Sequence, residues 1–411
     1  MTRPGHKREA RRGRFGSRAS RVLREKRRVD LAARKRSRAR APAPRPAPRP
    51  PARLSVPLSR VVIDDEVRRA ALRALDSGRY ILADECRAFE AELARLTGTK
   101  HAVLVNSGTS AIYLALKALG VKEGSEVIVP SLTAFPTVEP ICHLGARPVF
   151  VDIGDTCTAD PDAVRKAVTP RTAAILPVHL YGHPADLGPL LEVASDHSIP
   201  LVEDACQAHG ARTRGRRVGS MGAAGCFSFY PSKNLTVAGD GGAVTTDRDD
   251  IAKAIRMLRD HGRQSKYLHE AVGYNFRFNE IQAAVGRVLL RRLEGFNRRR
   301  REVAAAYRKG LAATPLGLPP ETIETEPVYH LFVVRTPRRE QLQEFLKERG
   351  IETGVHYPVP CHLQPALAHL PRTSLPRTEA AAREILSLPI FPSITAAQRE
   401  HVVRSVVEFF A

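Results

Sequence analysis

The chain has 411 residues, 43% of them apolar, which is enough for one large domain with a smaller companion or for two domains. Its formal net charge of +22 is unevenly placed, because residues 1–53 carry 20 Arg and Lys against 3 Asp and Glu, whereas the rest carries 45 against 40. The charges of residues 54–411 nearly balance, so they give no indication of a nucleic-acid-binding surface. No stretch of the sequence approaches the ~20 consecutive apolar residues of a membrane span.

The basic tail, residues 1–53, is rich in arginine and proline and poor in apolar residues. We predict that it is disordered, because no hydrophobic face offsets the entropy of ordering it. Arg11 and Arg12 are not followed by an apolar segment, so no twin-arginine signal is indicated and we expect a cytoplasmic protein. Three interpretations of the tail stay open: an arm that binds nucleic acid or an acidic partner by counterion release, a solvated extension without a partner, or a mis-assigned start near Val56.

Hydrophobic periodicity beyond the tail predicts two helices and then a sheet. The first helix, over 64–77, presents Val67, Ala71 and Leu75 at helical spacing, and a second lies around residues 89–96. Short apolar runs then alternate with helical segments, at 101–105, 126–129, 148–151, 173–178, 200–202, 226–229 and 242–245. Because these runs are apolar on both faces, they predict a doubly wound α/β domain with a mostly parallel, seven-stranded sheet.

The composition changes after a helical stretch over 279–310, where several prolines precede a shorter set of elements. We predict a large α/β domain over 54–310, which includes the N-terminal helices, and a small α+β domain over 311–411. The predicted elements of the small domain are a strand over 329–335, a helix over 340–349, a strand-like segment over 352–357, and helices over 378–386 and 395–410.

The cysteine and histidine spacings do not indicate a metal site. The six cysteines lack C-x-x-C spacing and are scattered through predicted strands and helices, so we interpret them as reduced core or near-core residues. His179 and His183 are four residues apart, but Gly182 and Pro184 exclude the helix that would point both rings at one ion.

Two strand ends carry a pair of residues that predicts a cofactor. Lys233 follows the run at 226–229, and Asp204, 29 positions upstream, follows the run at 200–202. Ligands of open α/β sheets bind beyond the carboxyl ends of the strands. Pyridoxal phosphate needs an amine to hold it and a carboxylate to keep its ring nitrogen protonated, so the pair predicts this cofactor. Taken alone, each residue is more often a solvated lysine or a helix cap.

Other strand ends add groups that suit the same cofactor. Gly108 and Thr109 open a helix whose free amides and hydroxyl would bind a phosphate, although Ser and Thr are also ordinary caps. Ser228 would add a second hydroxyl, and Phe135 would stack on a planar ring unless it belongs to the core. Gln207 is placed to hydrogen-bond the ring hydroxyl.

Lys233 has to be neutral to attack or to return protons. We therefore predict that its pKa is lowered, by burial and by neighbouring cationic groups.

Four ordered segments resemble the DegT/StrS family of sugar aminotransferases. They are residues 106–110 (NSGTS), 203–210 (EDACQAHG), 227–234 (FSFYPSKN) and 273–284 (GYNFRFNEIQAA). The resemblance runs from about residue 55 to the C-terminus and omits the tail. It implies the fold type I architecture, pyridoxal 5'-phosphate, a homodimer with shared active sites, and amino transfer from an amino acid, usually L-glutamate, to a nucleotide-linked keto sugar.

The resemblance also implies roles for individual residues. Carried over by position, Lys233 is similar to the lysine that holds the cofactor, Asp204 and Gln207 to the ring contacts, Phe135 to the stacking group, and Thr109 and Ser228 to the phosphate ligands. Asn275 matches an asparagine that reaches the phosphate from the partner subunit, so a monomer would have an incomplete site. Asp240 stands where a glutamate is frequent in the family, and we expect no loss of activity from it.

Several alternatives remain at this point. Related sugar dehydratases resemble the chain but have a histidine at the position of Lys233, which favours transamination over dehydration. The segments around Lys233 and over 356–365 are most similar to members that act on 3-keto sugars, whereas 273–277 also occurs in 4-keto and cyclitol enzymes.

His356 and Tyr357 are candidate sugar contacts or a structural turn before Pro358. The non-enzymatic alternative is a regulatory protein that binds through the basic tail, against which the intact cofactor residues argue.

Overall fold

The computed structural model describes residues 54–411, so the predictions for the basic tail lie outside the described residues. The α-helices are α1 Asp65–Asp76, α2 Asp84–Thr97, α3 Gly108–Ala118, α4 Phe135–His143, α5 Pro161–Ala167, α6 Leu187–Asp196, α7 Asp249–Leu258, α8 Glu280–Leu311, α9 Arg339–Glu348, α10 Pro376–Glu384 and α11 Ala396–Phe410. The strands are β1 His101–Val105, β2 Glu126–Pro130, β3 Arg147–Val151, β4 Thr172–Ile175, β5 Val202–Asp204, β6 Arg212–Thr213, β7 Arg216–Arg217, β8 Ala224–Ser228, β9 Gly242–Thr246, β10 Thr325–Glu326, β11 Phe332–Arg335 and β12 Ile385–Leu388.

The central sheet consists of two hydrogen-bonded groups of strands, in the orders β3-β2-β4 and β5-β8-β9-β1. Isolated parallel bridges from Ile175 to Leu201 and from Val178 to Asp204 join the two groups through β4 and β5. Neighbours are parallel except at β9, which runs antiparallel to both β8 and β1. Each of the seven predicted apolar runs coincides with one of these strands, and the parallel direction predominates as expected.

Helices cover both faces of this sheet. Along β1, Ala102 and Leu104 belong to one apolar cluster with α2 and α8, whereas Val103 and Val105 belong to another with α3, α4 and α7. Burial on both faces explains why the strands appear in the sequence as continuous apolar runs rather than as alternating ones.

The N-terminal helix α1 packs on the long helix α8 with a face that differs partly from the predicted one. The predicted stripe was Val67, Ala71 and Leu75, but the structure buries Val67, Ala70 and Ala74 and leaves Leu75 48% exposed. Part of that prediction was therefore wrong, because alanines one position earlier fit closer to α8 than a leucine does.

The C-terminal elements differ from prediction at one strand. The segment over 352–357 is not a strand but makes a single bridge, from Gly354 to Ser387. The partner of β11 is β12, which pairs with it antiparallel and lies where the sequence predicted the end of a helix. All four residues of β12 are buried, so no periodicity distinguishes it from a buried helical segment. The proposed domain boundary after residue 310 stays a prediction.

Buried polar and sulfur groups account for the remaining sequence observations. All six cysteines are unpaired, and four of them are buried. His179 donates from Nε2 to the Glu203 carboxylate over 3.1 Å and accepts from the Ala185 amide, so its ring is part of a buried network. Within residues 54–411, no helix has the length and apolarity needed to cross a membrane.

Candidate active site

The carboxyl ends of the strands open onto one cavity of about 670 Å³. It is lined by the predicted residues Gly108, Thr109, Phe135, Asp204, Gln207, Ser228, Lys233, His356 and Tyr357, and also by Asp240. Asn275 does not line it: this residue is exposed, and its Oδ1 accepts from Arg277 Nε at 3.1 Å.

Lys233 follows β8 in a turn in which its amide donates to the Tyr230 carbonyl at 2.9 Å. Burial lowers the pKa of the Lys233 amine, as predicted. The predicted contribution of cationic neighbours to this pKa shift was wrong, because the groups that act on the amine are Cys206 and Asp204, and both oppose the shift.

Asp204 ends β5 and is only 3% exposed. Its Oδ2 accepts from Thr137 Oγ1 at 2.8 Å, and its Oδ1 accepts from the Cys206 amide at 3.1 Å. The Thr137 hydroxyl is in turn 2.9 Å from that of Thr133. The sequence reasoning did not identify Thr137, although it stands two residues after Phe135 in a segment that follows a strand end.

Gln207 connects the predicted ring contacts to the predicted sugar contacts. Its Oε1 accepts from the Tyr181 amide at 2.8 Å, and its Nε2 donates to Tyr357 Oη at 3.1 Å. The Tyr181 hydroxyl donates to the carbonyl of His356. Tyr181 was not predicted either. It lies in a short turn, and its contacts with Gln207 and His356 exist only in the folded chain.

The first turn of α3 is pressed against β8. A Cβ atom at Gly108 would lie 2.6 Å from Ser228 Cβ and 3.0 Å from Cys206 Sγ, so only glycine fits there. The first amides of a helix have no partner within the helix, and the Thr109 hydroxyl makes no hydrogen bond to another described residue. These groups, with Ser228 beside them, can bind an anion at the N-terminal end of the helix dipole.

Together these observations fit pyridoxal phosphate. An amine with a lowered pKa, a carboxylate held by two hydrogen bonds and an anion cradle line the same cavity. The three groups are those that the cofactor's aldehyde carbon, ring nitrogen and phosphate require.

His330 is a further cavity residue that the sequence reasoning missed. It precedes β11, lines the cavity and is 6% exposed, and its Nδ1 has no hydrogen-bond partner among the described residues. It belongs to the C-terminal elements, where no motif marked it.

Residues 61–407 match the DegT/DnrJ/EryC1/StrS aminotransferase family. The chain is 51% identical over 348 residues to dTDP-3-amino-3,4,6-trideoxy-alpha-D-glucose transaminase of Streptomyces venezuelae, covering 84% of this chain and 92% of that protein. It is 42% identical over 351 residues to the pleiotropic regulatory protein of Geobacillus stearothermophilus, covering 84% and 94%. The crystal structure of S. venezuelae DesV in complex with a ketimine intermediate superimposes with a TM-score of 0.84 at 49% identity, covering 86% of this chain and 98% of that one.

Proposed function

The chain belongs to the DegT/DnrJ/EryC1/StrS aminotransferase family, and from this we propose that it moves an amino group from an amino acid to C3 of a nucleotide-linked keto sugar in amino-sugar biosynthesis. It is an aminotransferase with the fold type I architecture, and its cofactor is pyridoxal 5'-phosphate. The observation that carries the proposal is the single cavity that holds Lys233, Asp204 and the anion cradle of Gly108, Thr109 and Ser228.

We assign each residue a task in this cavity. When bound, the cofactor withdraws electrons from the donor's α-carbon and carries the amino group between the two substrates. Lys233 holds the cofactor and then moves a proton to and from the α-carbon, for which its lowered pKa keeps a neutral amine available. Asp204 keeps the ring nitrogen protonated, Gln207 bonds the ring hydroxyl and Phe135 covers the ring face.

The sugar specificity is proposed from two observations. The S. venezuelae relative is named for a 3-amino sugar, and His356 and Tyr357 line the cavity within the segment that is similar to 3-keto enzymes. We place these two side chains against the sugar and propose L-glutamate as the amino donor. A 4-keto sugar and a cyclitol are the competing acceptors.

We also propose a cytoplasmic homodimer with shared active sites, in which Asn275 reaches the phosphate cradle of the partner subunit. Supporting this, Asn275 is exposed and lies next to a loop with two strongly exposed apolar side chains, Tyr267 at 83% and Val272 at 91%.

Absorbance spectroscopy tests the proposed reaction. The cofactor-loaded protein should lose its visible band when L-glutamate is added, and Lys233→Ala should not respond. Mass spectrometry of the product from dTDP-linked 3-keto and 4-keto sugars then identifies the acceptor. A protein that binds the cofactor but responds to no amino acid would contradict transamination and favour sugar dehydration.

A regulatory function is the second candidate, because the G. stearothermophilus relative is named a pleiotropic regulatory protein. The complete cofactor cavity argues against a purely regulatory chain, which has no need of Lys233, Asp204 and Gln207 together. Failure of the purified protein to retain the cofactor would reverse this preference.

A further inference from the structure

His330 is a polar side chain without a protein partner, and its surroundings indicate a ligand. The buried Nδ1 of its ring hydrogen-bonds no other described residue, although the residue is only 6% exposed and lines the cavity. Buried polar side chains are nearly always hydrogen-bonded. His356, the other imidazole of the cavity, is already engaged, because its Nδ1 lies 2.8 Å from Ser387 Oγ. The unengaged ring is therefore that of His330.

The backbone of His330 is held firmly. Arg300 Nη1 donates to the carbonyls of Tyr329, His330 and Ile390 at 3.0, 3.2 and 3.0 Å. On the other side, a Cβ atom at Gly182 would lie 2.8 Å from the His330 amide nitrogen, so the two backbones are in close contact. A ring presented by a backbone fixed in this way suits ligand binding.

The surroundings of the ring favour an anion. Burial lowers the pKa of His330 well below its usual value, and Lys233, Arg300, His209 and His356 lower it further. The ring is thus neutral and keeps one N–H to donate, and the Arg300 guanidinium is the cation among these neighbours. A small hollow of about 30 Å³ next to Lys233 is lined by Arg300 and Arg60, and no acidic residue lines it.

The donor's carboxylate has to come to this part of the cavity. In an α-amino acid the carboxylate oxygens lie about 3 Å from the amine nitrogen. Since the donor's amine replaces the amine of Lys233, its carboxylate must lie beside that position. Asp204 would repel it, whereas His330 and Arg300 would attract it.

We propose that His330 donates a hydrogen bond from its ring to the α-carboxylate of the amino donor. The inference rests on the proposed aminotransferase function and adds the residue that recognises the donor. Its test separates donor binding from sugar binding and from amino transfer itself.

Kinetics of the two half-reactions provide the first test, with His330→Phe and His330→Gln. Losing a hydrogen bond to a charged group should raise the dissociation constant for L-glutamate about 10- to 100-fold in His330→Phe, with the KM for the sugar unchanged. His330→Gln keeps an N–H donor and should recover most of the affinity. An unchanged dissociation constant for L-glutamate would overturn the proposal. So would an increase in the KM for the sugar as large as the increase in the dissociation constant for L-glutamate.

Nitrogen NMR of the cofactor-loaded Lys233→Ala protein provides a second test. Because this variant cannot complete amino transfer, the test needs no turnover. With ¹⁵N-labelled histidine, the His330 signal is the one missing in His330→Gln. It should move with L-glutamine, which keeps the α-carboxylate, and stay in place with L-isoglutamine, in which that group is an amide. A His330 signal that moves with both ligands, or with neither, would refute the contact.

If His330→Phe does not fold, the His330→Gln variant and this titration decide. If the wild type transfers no amino group, the proposed function fails, and the titration still reports whether His330 binds a carboxylate.

Discussion

At the residue scale, one hydrogen bond helps to orient the Asp204 carboxylate. In the proposed function this carboxylate faces the ring nitrogen, and Thr137 Oγ1 donates to one of its oxygens at 2.8 Å. Replacing Thr137 by valine keeps the shape and removes the donor, so the carboxylate gains freedom to turn. We expect the donor half-reaction to slow by about tenfold, which corresponds to about 1.4 kcal/mol.

The matched control is Thr133→Val. The Thr133 hydroxyl bonds only the Thr137 hydroxyl and does not hydrogen-bond the carboxylate, so removing this hydroxyl should have a smaller effect. Stopped-flow absorbance measures both variants. Equal rates in Thr133→Val and Thr137→Val would show that the direct bond to Asp204 has no special role.

Burial of the Lys233 amine makes stability depend on pH. Its folded-state pKa lies below the usual 10.5, so the unfolded chain binds the extra proton between the two values. The cofactor-free protein should therefore gain stability as pH rises towards 10.5, and Lys233→Met should lack this gain. Urea unfolding of both proteins between pH 7 and 10 measures the difference. A free-energy difference that is constant over this range would contradict a lowered pKa.

At the scale of elements, the close contact between α3 and β8 shapes the proposed phosphate cradle. Gly108→Ala should push the helix away from Ser228 and Cys206, because the new Cβ would stand 2.6 Å from Ser228 Cβ. We expect a loss of cofactor affinity of about tenfold or more, measured by fluorescence titration. Gly295→Ala, in α8, is the control: nothing lies within 4 Å of its Cβ, so affinity should not change. Tight binding by Gly108→Ala would show that the contact is dispensable.

The sequence predicted those elements whose residues carry a local signal. The seven strands are apolar runs, and Lys233, Asp204 and Gly108 lie at or shortly after the ends of three of them, so the strands and the residues that line the candidate cavity could be predicted together. By contrast, β12 is too uniformly buried to show a period. Thr137 and Tyr181 reach the site through contacts between distant segments, such as Tyr181 with Gln207, and His330 lines the cavity from the C-terminal elements. Only the folded chain reveals these positions.

At the scale of the whole molecule, the described residues that line the candidate cavity begin with Leu58 and Ser59 in chain order. Deleting residues 1–53 should therefore leave the donor half-reaction rate unchanged, whereas deletion through residue 60 should impair it. Stopped-flow measurement of both truncations checks this. A slower reaction after the shorter deletion would assign the tail a part in catalysis.

Sharing of the active site between subunits predicts complementation. If Asn275 completes the partner's phosphate cradle, Lys233→Ala and Asn275→Ala are each inactive for different reasons. A mixed dimer places both defects in one site and leaves the other site intact, because each site takes Lys233 from one subunit and Asn275 from the other. An equimolar mixture that exchanges subunits freely should recover about a quarter of the wild-type activity, since about half of the dimers are mixed and each has one good site. Native mass spectrometry confirms the mixed dimers. Activity that stays at the level of the two separate variants, despite exchange, would show that each subunit builds its own complete site.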